Sequence, residues 1–309
     1  MRLCGLHALQ KSHKAARKRT NERKRKMSVL ITADSTCDLP KSIISEREIT
    51  IIPLSILLGE KSFKDGIEVT REDVYEHVKK TGELPKTAAV PPAEYYDIFR
   101  AAADAGHSVV HIGLSSAISS SYQNAVLAAT DFKNIYCVDS KNLCAGMGLL
   151  VLKACDLRDK GFDAKKIAAR INSLVPKIHS SFVLDNLEFL HKGGRCSSVA
   201  KFGANVLGLK PVIGVDPATG KMDVIKKYRG KSEAVCRQYI NDTLHDISKA
   251  DPSRLIIAES GGIPGEISAF ALGMARGQCK FNEIINAEAG CTIASHCGPK
   301  TFALFYMKK

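Results

Sequence analysis

Apolar runs alternate with amphipathic segments along the first half of the chain. Short runs rich in β-branched residues predict buried strands. The predicted strands are 29–33, 49–56, 108–114 and 135–138, with a hairpin-like excursion at 58–63. Segments that open with Pro or with a capping residue predict helices between them. These helices are 40–47, 70–80, 92–105 and 119–130. The alternation predicts a parallel sheet with helices on both faces.

The pattern in the second half of the chain predicts a layer that differs from the parallel sheet of the first half. Two helices, 143–160 and 163–177, lead into a series of predicted strands. The strands are 181–184, 210–215, 222–228, 254–259, 281–287 and 301–306. The turn 216–220 joins two of them as an antiparallel hairpin, which indicates a mixed α+β layer. Because 309 residues are too many for one average core, we predict an α/β protein of two domains, 27–170 and 171–309, with a ligand between them.

The net charge of +13 is concentrated at the N-terminus. Residues 1–26 hold ten Lys or Arg residues and one Glu, which gives this stretch +9 and leaves +4 for the remainder. Such an arm could contact nucleic-acid phosphates or an anionic membrane surface, or serve as a targeting signal. Because a predicted strand begins two residues after Met27, we favour a disordered or artefactual extension and expect no nucleic-acid partner. A nucleic-acid-binding or regulatory role for this arm is the alternative hypothesis.

Composition is typical of a water-soluble globular protein, with 45% hydrophobic and 25% charged residues. No apolar run approaches the roughly 18 residues of a membrane-spanning helix. The ten cysteines form no CxxC pair, and most lie in apolar stretches, where a free thiol acts as a small hydrophobic group. We therefore expect a cytoplasmic protein with reduced cysteines, no metal and no cofactor.

Three polar segments beside apolar runs carry the candidate binding residues. They are 85–87, 115–124 and 295–299. Their hydroxyls and one imidazole are natural donors for an oxygen-rich anion, so their convergence would form a pocket for a small acid. Ser119 and Ser120 follow a predicted strand, where helix N–H groups can bind an anion, although helix capping is the plainer alternative. Thr87 is expected in a loop and His296 between a strand-like stretch and a Gly-Pro turn, and either could instead be structural.

Two further motifs have both a functional and a structural interpretation. Gly193-Gly194-Arg195 could form an anion-binding nest beside a guanidinium, or a helix C-cap followed by a surface arginine. Asp34 and Asp38 follow the first predicted strand, where they could cap the next helix or present a carboxylate at the sheet edge. For this pair we favour capping.

Ser119 and His296 could also be the nucleophile and base of a serine-type lipid ester hydrolase. The stretch 113–117 lacks the final Gly of a nucleophile elbow, and the sequence assigns no third residue to orient the imidazole. Hydrolysis is therefore the alternative, and a binding protein without catalytic residues is preferred.

Taken in order along the chain, the motifs resemble those of the DegV family of bacterial fatty-acid-binding proteins. The matching segments are 34–38 (D-S-x-x-D), 115–125, 138–140 (V-D-S), 187–195 (ending G-G-R), 210–215 (K-P-x-x-x-V) and 296–299 (H-x-G-P). The resemblance covers nearly everything from residue 27 to residue 309. Several motifs in the right order are far more specific than any one of them alone.

The resemblance implies that the protein holds a long-chain fatty acid, such as palmitate, stearate or oleate, with its tail buried between the domains. The family's carboxylate-binding Thr, Ser and His correspond to Thr87, Ser119 and His296. The supporting residues are Arg195, Ser120 and Gly194. The resemblance also implies that the bound acid is offered to a separate ATP-dependent kinase subunit, which makes an acyl phosphate for phospholipid synthesis. On this interpretation the chain is a carrier and not an enzyme.

The chain departs from the family pattern at three places. Segment 87–92 keeps the Thr but lacks the Ser and Gln that follow it in the family. Ser120 replaces a Gly, and Lys300 replaces the last Gly of a Gly-Pro-Gly sequence. The three carboxylate-binding residues are kept, so the departures bear on loop geometry, tail preference and recognition by the kinase.

Overall fold

The structure is a computed structural model that describes residues 28–199, 208–245, 247 and 250–309. The basic extension predicted for residues 1–26 lies outside these residues. The strands are β1 (Val29–Asp34), β2 (Ile49–Ile52), β3 (Ser55–Leu58), β4 (Lys61–Lys64), β5 (Lys86–Ala88), β6 (Ser108–Gly113), β7 (Ile135–Asp139), β8 (Ile178–Val183), β9 (Leu209–Val215), β10 (Met222–Arg229), β11 (Ala250–Glu259), β12 (Glu283–Glu288) and β13 (Phe302–Lys308).

The helices follow the predicted positions as far as residue 174, and four more that the sequence analysis does not predict come after them. They are α1 (Lys41–Glu46), α2 (Arg71–Thr81), α3 (Pro92–Asp104), α4 (Ser121–Ala129), α5 (Cys144–Asp159), α6 (Ala164–Leu174), α7 (Glu188–Gly193), α8 (Ser232–Leu244), α9 (Gly265–Gln278) and α10 (Cys291–Cys297). Short 3-10 helices span Ser35–Cys37 and Val175–Lys177. At the start of α2, Thr70 and Asp73 form the reciprocal bonds of a capping box.

Four strands form an all-parallel sheet in the order β2-β1-β6-β7. Ile31 of β1 lies opposite Ile49 of β2 on one side and Val110 of β6 on the other. Helix α3 packs on α4 and α5 packs on α6, and all four helices contact the sheet. Strand β6 is buried along its whole length, as expected when helices cover both faces. The predicted parallel sheet with flanking helices is confirmed.

Six strands form the second sheet, in the order β10-β9-β8-β13-β11-β12. Neighbouring strands are antiparallel except β11 and β12, which run parallel. The predicted hairpin is present, and at its tip the Gly220 N–H donates to the Asp216 carbonyl at 2.7 Å. Helix α8 packs on this sheet and α9 packs on α8, which encloses an apolar cluster around Tyr239 and Leu304. The predicted mixed α+β layer is confirmed.

Helix α5 lies between the two sheets. It contacts β1 and β6 of the parallel sheet and β8, β11 and β13 of the mixed sheet. Twelve of its 16 residues are buried, because a helix enclosed on all sides has no polar face. Close packing requires glycine at one point, since a Cβ on Gly146 would lie 2.2 Å from Asn142 Oδ1 and 2.3 Å from Ser180 Oγ. The largest apolar cluster therefore extends through both layers.

The predicted strand 49–56 is wrong, because this segment forms two strands in two sheets. Strand β2 belongs to the parallel sheet, whereas β3 belongs to a small antiparallel sheet ordered β4-β3-β5. Pro53 separates them, since proline has no N–H to donate to a sheet. The next N–H, that of Leu54, donates instead to the Ser35 hydroxyl at 3.2 Å. The change of sheet carries the chain toward β5, the strand that contains Thr87.

Helix α10 replaces the strand-like stretch that the sequence predicts before the Gly-Pro turn. Its N-terminus is bonded to Asp65, which is 4% exposed. The Asp65 carboxylate accepts the Cys291 N–H at 3.0 Å and the Thr292 hydroxyl at 2.7 Å. A helix of seven residues is not stable by itself. Its conformation therefore depends on contacts with distant parts of the chain.

Replacing Asp65 by Ala should lower the free energy of unfolding by about 3 kcal/mol or more, because two N–H groups and two hydroxyls lose their acceptor. Urea denaturation followed by circular dichroism measures this loss. The control is Asp163→Ala, which removes one exposed N-cap bond from α6 and should cost about 1 kcal/mol. Equal losses in the two variants would contradict the role assigned to Asp65.

Candidate functional site

An apolar cavity of about 160 Å³ lies between the parallel and mixed sheets. Its wall includes Leu114 at the end of β6, Phe182 of β8 and Phe305 of β13, so both sheets contribute. The volume is close to the roughly 150 Å³ of an engineered apolar cavity that holds benzene. Five of the six predicted binding residues line it, namely Thr87, Ser119, Ser120, Arg195 and His296.

Thr87 lies in strand β5 and not in the predicted loop. It is half-buried, whereas Lys86 and Ala88 on either side are exposed, as expected when side chains alternate along a strand. Pairing with Ile56 of β3 fixes this register. The small antiparallel sheet therefore directs the Thr87 side chain toward the cavity.

His296 lies in the last turn of α10, so a helix and not a turn sets the direction of its side chain. Its Nε2 atom is 2.8 Å from the Thr87 hydroxyl oxygen, although 209 positions separate the two residues. Strand β5 and helix α10 thus bring together two polar side chains that were singled out independently. They meet at the wall of a cavity that is otherwise mainly apolar.

The His296 imidazole is neutral at pH 7. Burial, and to a smaller extent the Arg195 guanidinium, lowers its pKa to about 4. Its Nδ1 atom is out of contact with solvent and has no hydrogen-bond partner among the described residues. A proton on Nδ1 would be an unsatisfied buried donor, so we assign the proton to Nε2. Nε2–H then donates to Thr87, and the Thr87 hydroxyl proton is left for an acceptor in the cavity.

Ser119 precedes helix α4 and does not begin it. The N-cap residue is Ser120, whose side chain makes no capping hydrogen bond. The Ser119 hydroxyl instead accepts the Ser121 N–H at 3.1 Å and lies 3.0 Å from the Ser121 hydroxyl. Ser119 therefore satisfies a helix N–H, as the capping alternative proposes, and also lines the cavity.

Gly193-Gly194-Arg195 forms a helix C-cap, the structural one of the two interpretations. Gly194 has a φ of +69°, the left-handed conformation that favours glycine. Arg195 is exposed and donates to the Gly193 carbonyl. Sequence reasoning missed the role of Gly193, where a Cβ would lie 2.4 Å from His296 Nδ1. Only glycine allows the imidazole to lie in this place.

The capping role favoured for Asp34 and Asp38 is wrong. Asp34 accepts the Leu114 N–H at 2.8 Å, and Asp38 accepts the Gly290 N–H at 3.0 Å. Neither side chain caps the helix that follows it. Burial raises the pKa of Asp38 to about 7. The sequence carried no signal for these contacts, because the partners lie 80 and 252 positions away.

The geometry favours binding over nucleophilic catalysis. His296 is bonded to Thr87 and Ser119 to Ser121, so serine and imidazole have different partners. Within the described ranges, no three His, Cys, Asp or Glu side chains are grouped as a metal site requires. None of the helices in that same part of the chain combines the length and the apolarity needed to cross a membrane.

The fold and the cavity define an α/β protein in which a parallel and a mixed sheet enclose an apolar space with a polar end. Residues 28–309 match the model of the family described as "Uncharacterised protein, DegV family". A DegV domain-containing protein of Caldanaerobacter subterraneus subsp. tengcongensis is 30% identical over 285 residues, which are 91% of this chain and 99% of that relative. The chain belongs to the DegV family, and the resemblance inferred from its motifs is confirmed.

Two solved structures have the same fold. One is a DegV family protein from Thermus thermophilus, described by its fatty acid binding, with a TM-score of 0.83 and 26% identity. The other is DegV from Bacillus subtilis, described as a fatty acid binding protein, with a TM-score of 0.79 and 27% identity. Each comparison covers 92% of this chain and 100% of the other chain.

Replacing Gly193 by Ala should displace the His296 ring from Thr87, because a Cβ and Nδ1 cannot lie 2.4 Å apart. The expected results are changed ¹⁵N chemical shifts of the His296 imidazole and a loss of stability of about 1–3 kcal/mol. Gly265→Ala is the control, since open space surrounds its added Cβ at the start of α9. Unchanged His296 signals in Gly193→Ala would refute the assigned contact.

Asp38 should make stability depend on pH between about 4 and 7. With a pKa raised to about 7 from an ordinary value near 3.8, the folded state binds the proton more tightly than the unfolded state does. The free energy of unfolding therefore falls as pH rises through this window, by about 1.4 kcal/mol per unit of pKa shift.

Asp38→Asn, which stays neutral, removes this contribution. Urea denaturation at pH 4.5 and at pH 7.5 gives the free energy of unfolding of the variant minus that of the unsubstituted protein. This difference should increase from pH 4.5 to pH 7.5, because only the unsubstituted protein loses the contribution of Asp38. Other titrating groups cancel in that difference. A difference independent of pH would show that Asp38 titrates normally.

Proposed function

We propose that this protein binds a long-chain fatty acid, with the acyl chain in the cavity and the carboxylate at Thr87, Ser119 and His296. The observation that carries the proposal is the 2.8 Å contact between Thr87 Oγ1 and His296 Nε2 at the wall of a mainly apolar cavity. An apolar space with a small cluster of hydroxyl and imidazole donors suits an amphiphilic acid. The relatives from Thermus thermophilus and Bacillus subtilis, both described as binding fatty acids, support the same ligand class.

The energetics favour an acyl chain over a small polar acid. Burying roughly 14 methylenes at about 0.8 kcal/mol each gives on the order of 11 kcal/mol of gross transfer free energy, before the costs of binding. An unpaired carboxylate in the same place would cancel much of this gain. Hydroxyl donors at the end of the cavity are therefore as necessary as its apolar wall.

The cavity must widen when palmitate or stearate enters, because a space that suits benzene is too small for such a chain. Apolar cores are close-packed, so the widening requires side chains to change rotamer. Met222 lines the cavity, and its unbranched thioether adapts readily. Leu190, on the short helix α7, lines the same space.

We also propose that the protein presents the bound carboxylate to a separate ATP-dependent kinase subunit, which forms an acyl phosphate for phospholipid synthesis. Ser120 and Arg195 are exposed, and Thr87 and Ser119 are half-buried. The polar end of the cavity thus lies near the surface, where a partner could reach the carboxylate. In this role the chain carries the acid and performs no chemistry itself.

Mass spectrometry of the purified protein after denaturation tests the ligand class. The expected result is a stoichiometric long-chain acid such as palmitate, stearate or oleate. An empty cavity together with turnover of a lipid ester would instead favour the serine hydrolase, and Ser119→Ala should then abolish that turnover.

Replacing His296 or Thr87 by Ala should weaken fatty acid binding by about tenfold or more, because a hydrogen bond to a charged group contributes about 1.5–3 kcal/mol. Displacement of a fluorescent fatty acid measures the affinity, and acyl-phosphate formation with a partner kinase should fall in parallel. Thr130→Ala is the control, since this hydroxyl bonds only a carbonyl at the exposed end of α4. Undiminished binding by His296→Ala would refute its assignment.

A further inference from the structure

The mixed sheet carries a row of side chains along one wall of the cavity, and two of them are alanines. Ala303 of β13 lies opposite Phe182 of β8 on one side and Ala258 of β11 on the other. All three side chains line the cavity, and each is at most 5% exposed. Because an alanine side chain ends at its Cβ atom, the two alanines leave a channel beside the Phe182 ring.

One end of this channel lies next to the helix end that carries His296. Thr301 and Ser260 form the neighbouring row, in which the Ser260 N–H donates to the Thr301 carbonyl at 3.1 Å, and both residues line the cavity. The Ser260 hydroxyl donates to the Gly298 carbonyl at 2.6 Å, and the Thr301 hydroxyl donates to the Cys297 carbonyl at 3.0 Å. These bonds place the end of α10, with its imidazole, beside this end of the alanine row.

Phe305 closes the opposite end of the channel. Side chains alternate along a strand, and Thr301, Ala303 and Phe305 accordingly face the cavity. The Phe305 ring is 1% exposed. Met307, the next residue on this face, is buried but lies outside the cavity wall. The channel therefore runs along β13 from the side of His296 to the Phe305 ring.

The length of the channel follows from the spacing of residues along β13. Thr301 and Phe305 are four residues apart, which corresponds to about 13 Å at roughly 3.3 Å per residue. An extended chain of single bonds advances about 1.1–1.2 Å per bond, since three backbone bonds span roughly 3.3–3.6 Å. An acyl chain of about 12 carbons is therefore long enough to reach the Phe305 ring.

We propose that Phe305 determines the chain length of the bound acid, because its ring ends the channel that the alanines form. This inference rests on the proposed function and names the part of the site that selects among fatty acids. Acids of up to about 12 carbons fit in front of the ring, whereas palmitate, stearate and oleate have to displace it. A displaced ring leaves its preferred packing, which offsets part of the gain from the additional buried methylenes.

Affinities for a series of saturated acids from octanoate to stearate test the inference. They are measured with the full chain, below the critical micelle concentration of each acid, by displacement of a fluorescent fatty acid. Affinity should rise about fourfold with each methylene that enters the channel. We expect a break in this rise near laurate, beyond which each methylene adds less than about twofold. A constant rise from octanoate to stearate would overturn the inference.

Two substitutions should move the break in opposite directions. Phe305→Leu opens the end of the channel and should move the break toward palmitate. Ala303→Leu fills the middle of the channel and should move the break toward octanoate. If the break stays near laurate in both variants, Phe305 does not set the chain length. If Phe305→Leu does not fold, Ala303→Leu and Ala258→Leu decide the question, since both should shorten the preferred acid.

A control separates selection of chain length from general destabilisation. Leu304, the residue between Ala303 and Phe305, is 0% exposed and packs in the apolar cluster on the other face of the sheet. Leu304→Ala should lower the stability of the protein and leave the break near laurate. A break that moves as far in Leu304→Ala as in Phe305→Leu would contradict the role of Phe305.

The outcomes also distinguish this inference from the proposed function. His296→Ala should lower the affinity for every acid by the same factor, because it acts on the carboxylate and not on the acyl chain. If no acid binds to the unsubstituted protein, the proposed function and the inference fail together. If acids bind and His296→Ala weakens them, but the break does not respond to Phe305→Leu or Ala303→Leu, the proposed function stands and only the role of Phe305 is refuted.

Discussion

The carboxylate of Asp65 is the contact on which the candidate site depends. It follows β4 and accepts hydrogen bonds from the beginning of α10, 226 positions later in the chain. The first N–H groups of a helix have no partner within it, so burial without such an acceptor would leave them unsatisfied. His296 lies at the other end of the same short helix. The place of the imidazole beside Thr87 is thus set by a carboxylate from the opposite half of the protein.

The polar end of the cavity consists of neutral donors. The pKa of His296 is about 4, because burial and the neighbouring Arg195 disfavour the imidazolium. A buried cation without a partner would be costly in the empty protein, whereas an unpaired hydroxyl costs much less. The charged Arg195 remains exposed at the edge.

Local patterns predicted most of the secondary structure, because the causes of a strand, a turn or a helix start lie within a few residues. The capping box of α2 and the hairpin at 216–220 are examples. The errors involve partners that lie elsewhere in the chain. Segment 49–56 divides at Pro53, where the two strands join different sheets, and α10 forms because Asp65 accepts its N–H groups. Neither partner is visible in the segment itself.

The sequence by itself determined the fold class, the family and the kinds of side chain at the site, because motif order, periodicity and hydrogen-bonding capacity are properties of the residues. Only the tertiary structure decided that Thr87 meets His296, that Gly193 must lack a side chain, and that Asp34 accepts the N–H of Leu114. These facts depend on burial and on partners far apart in the chain. Solvent exclusion, which sets both the pKa of an imidazole and the cost of an unpaired donor, exists only after the chain has folded.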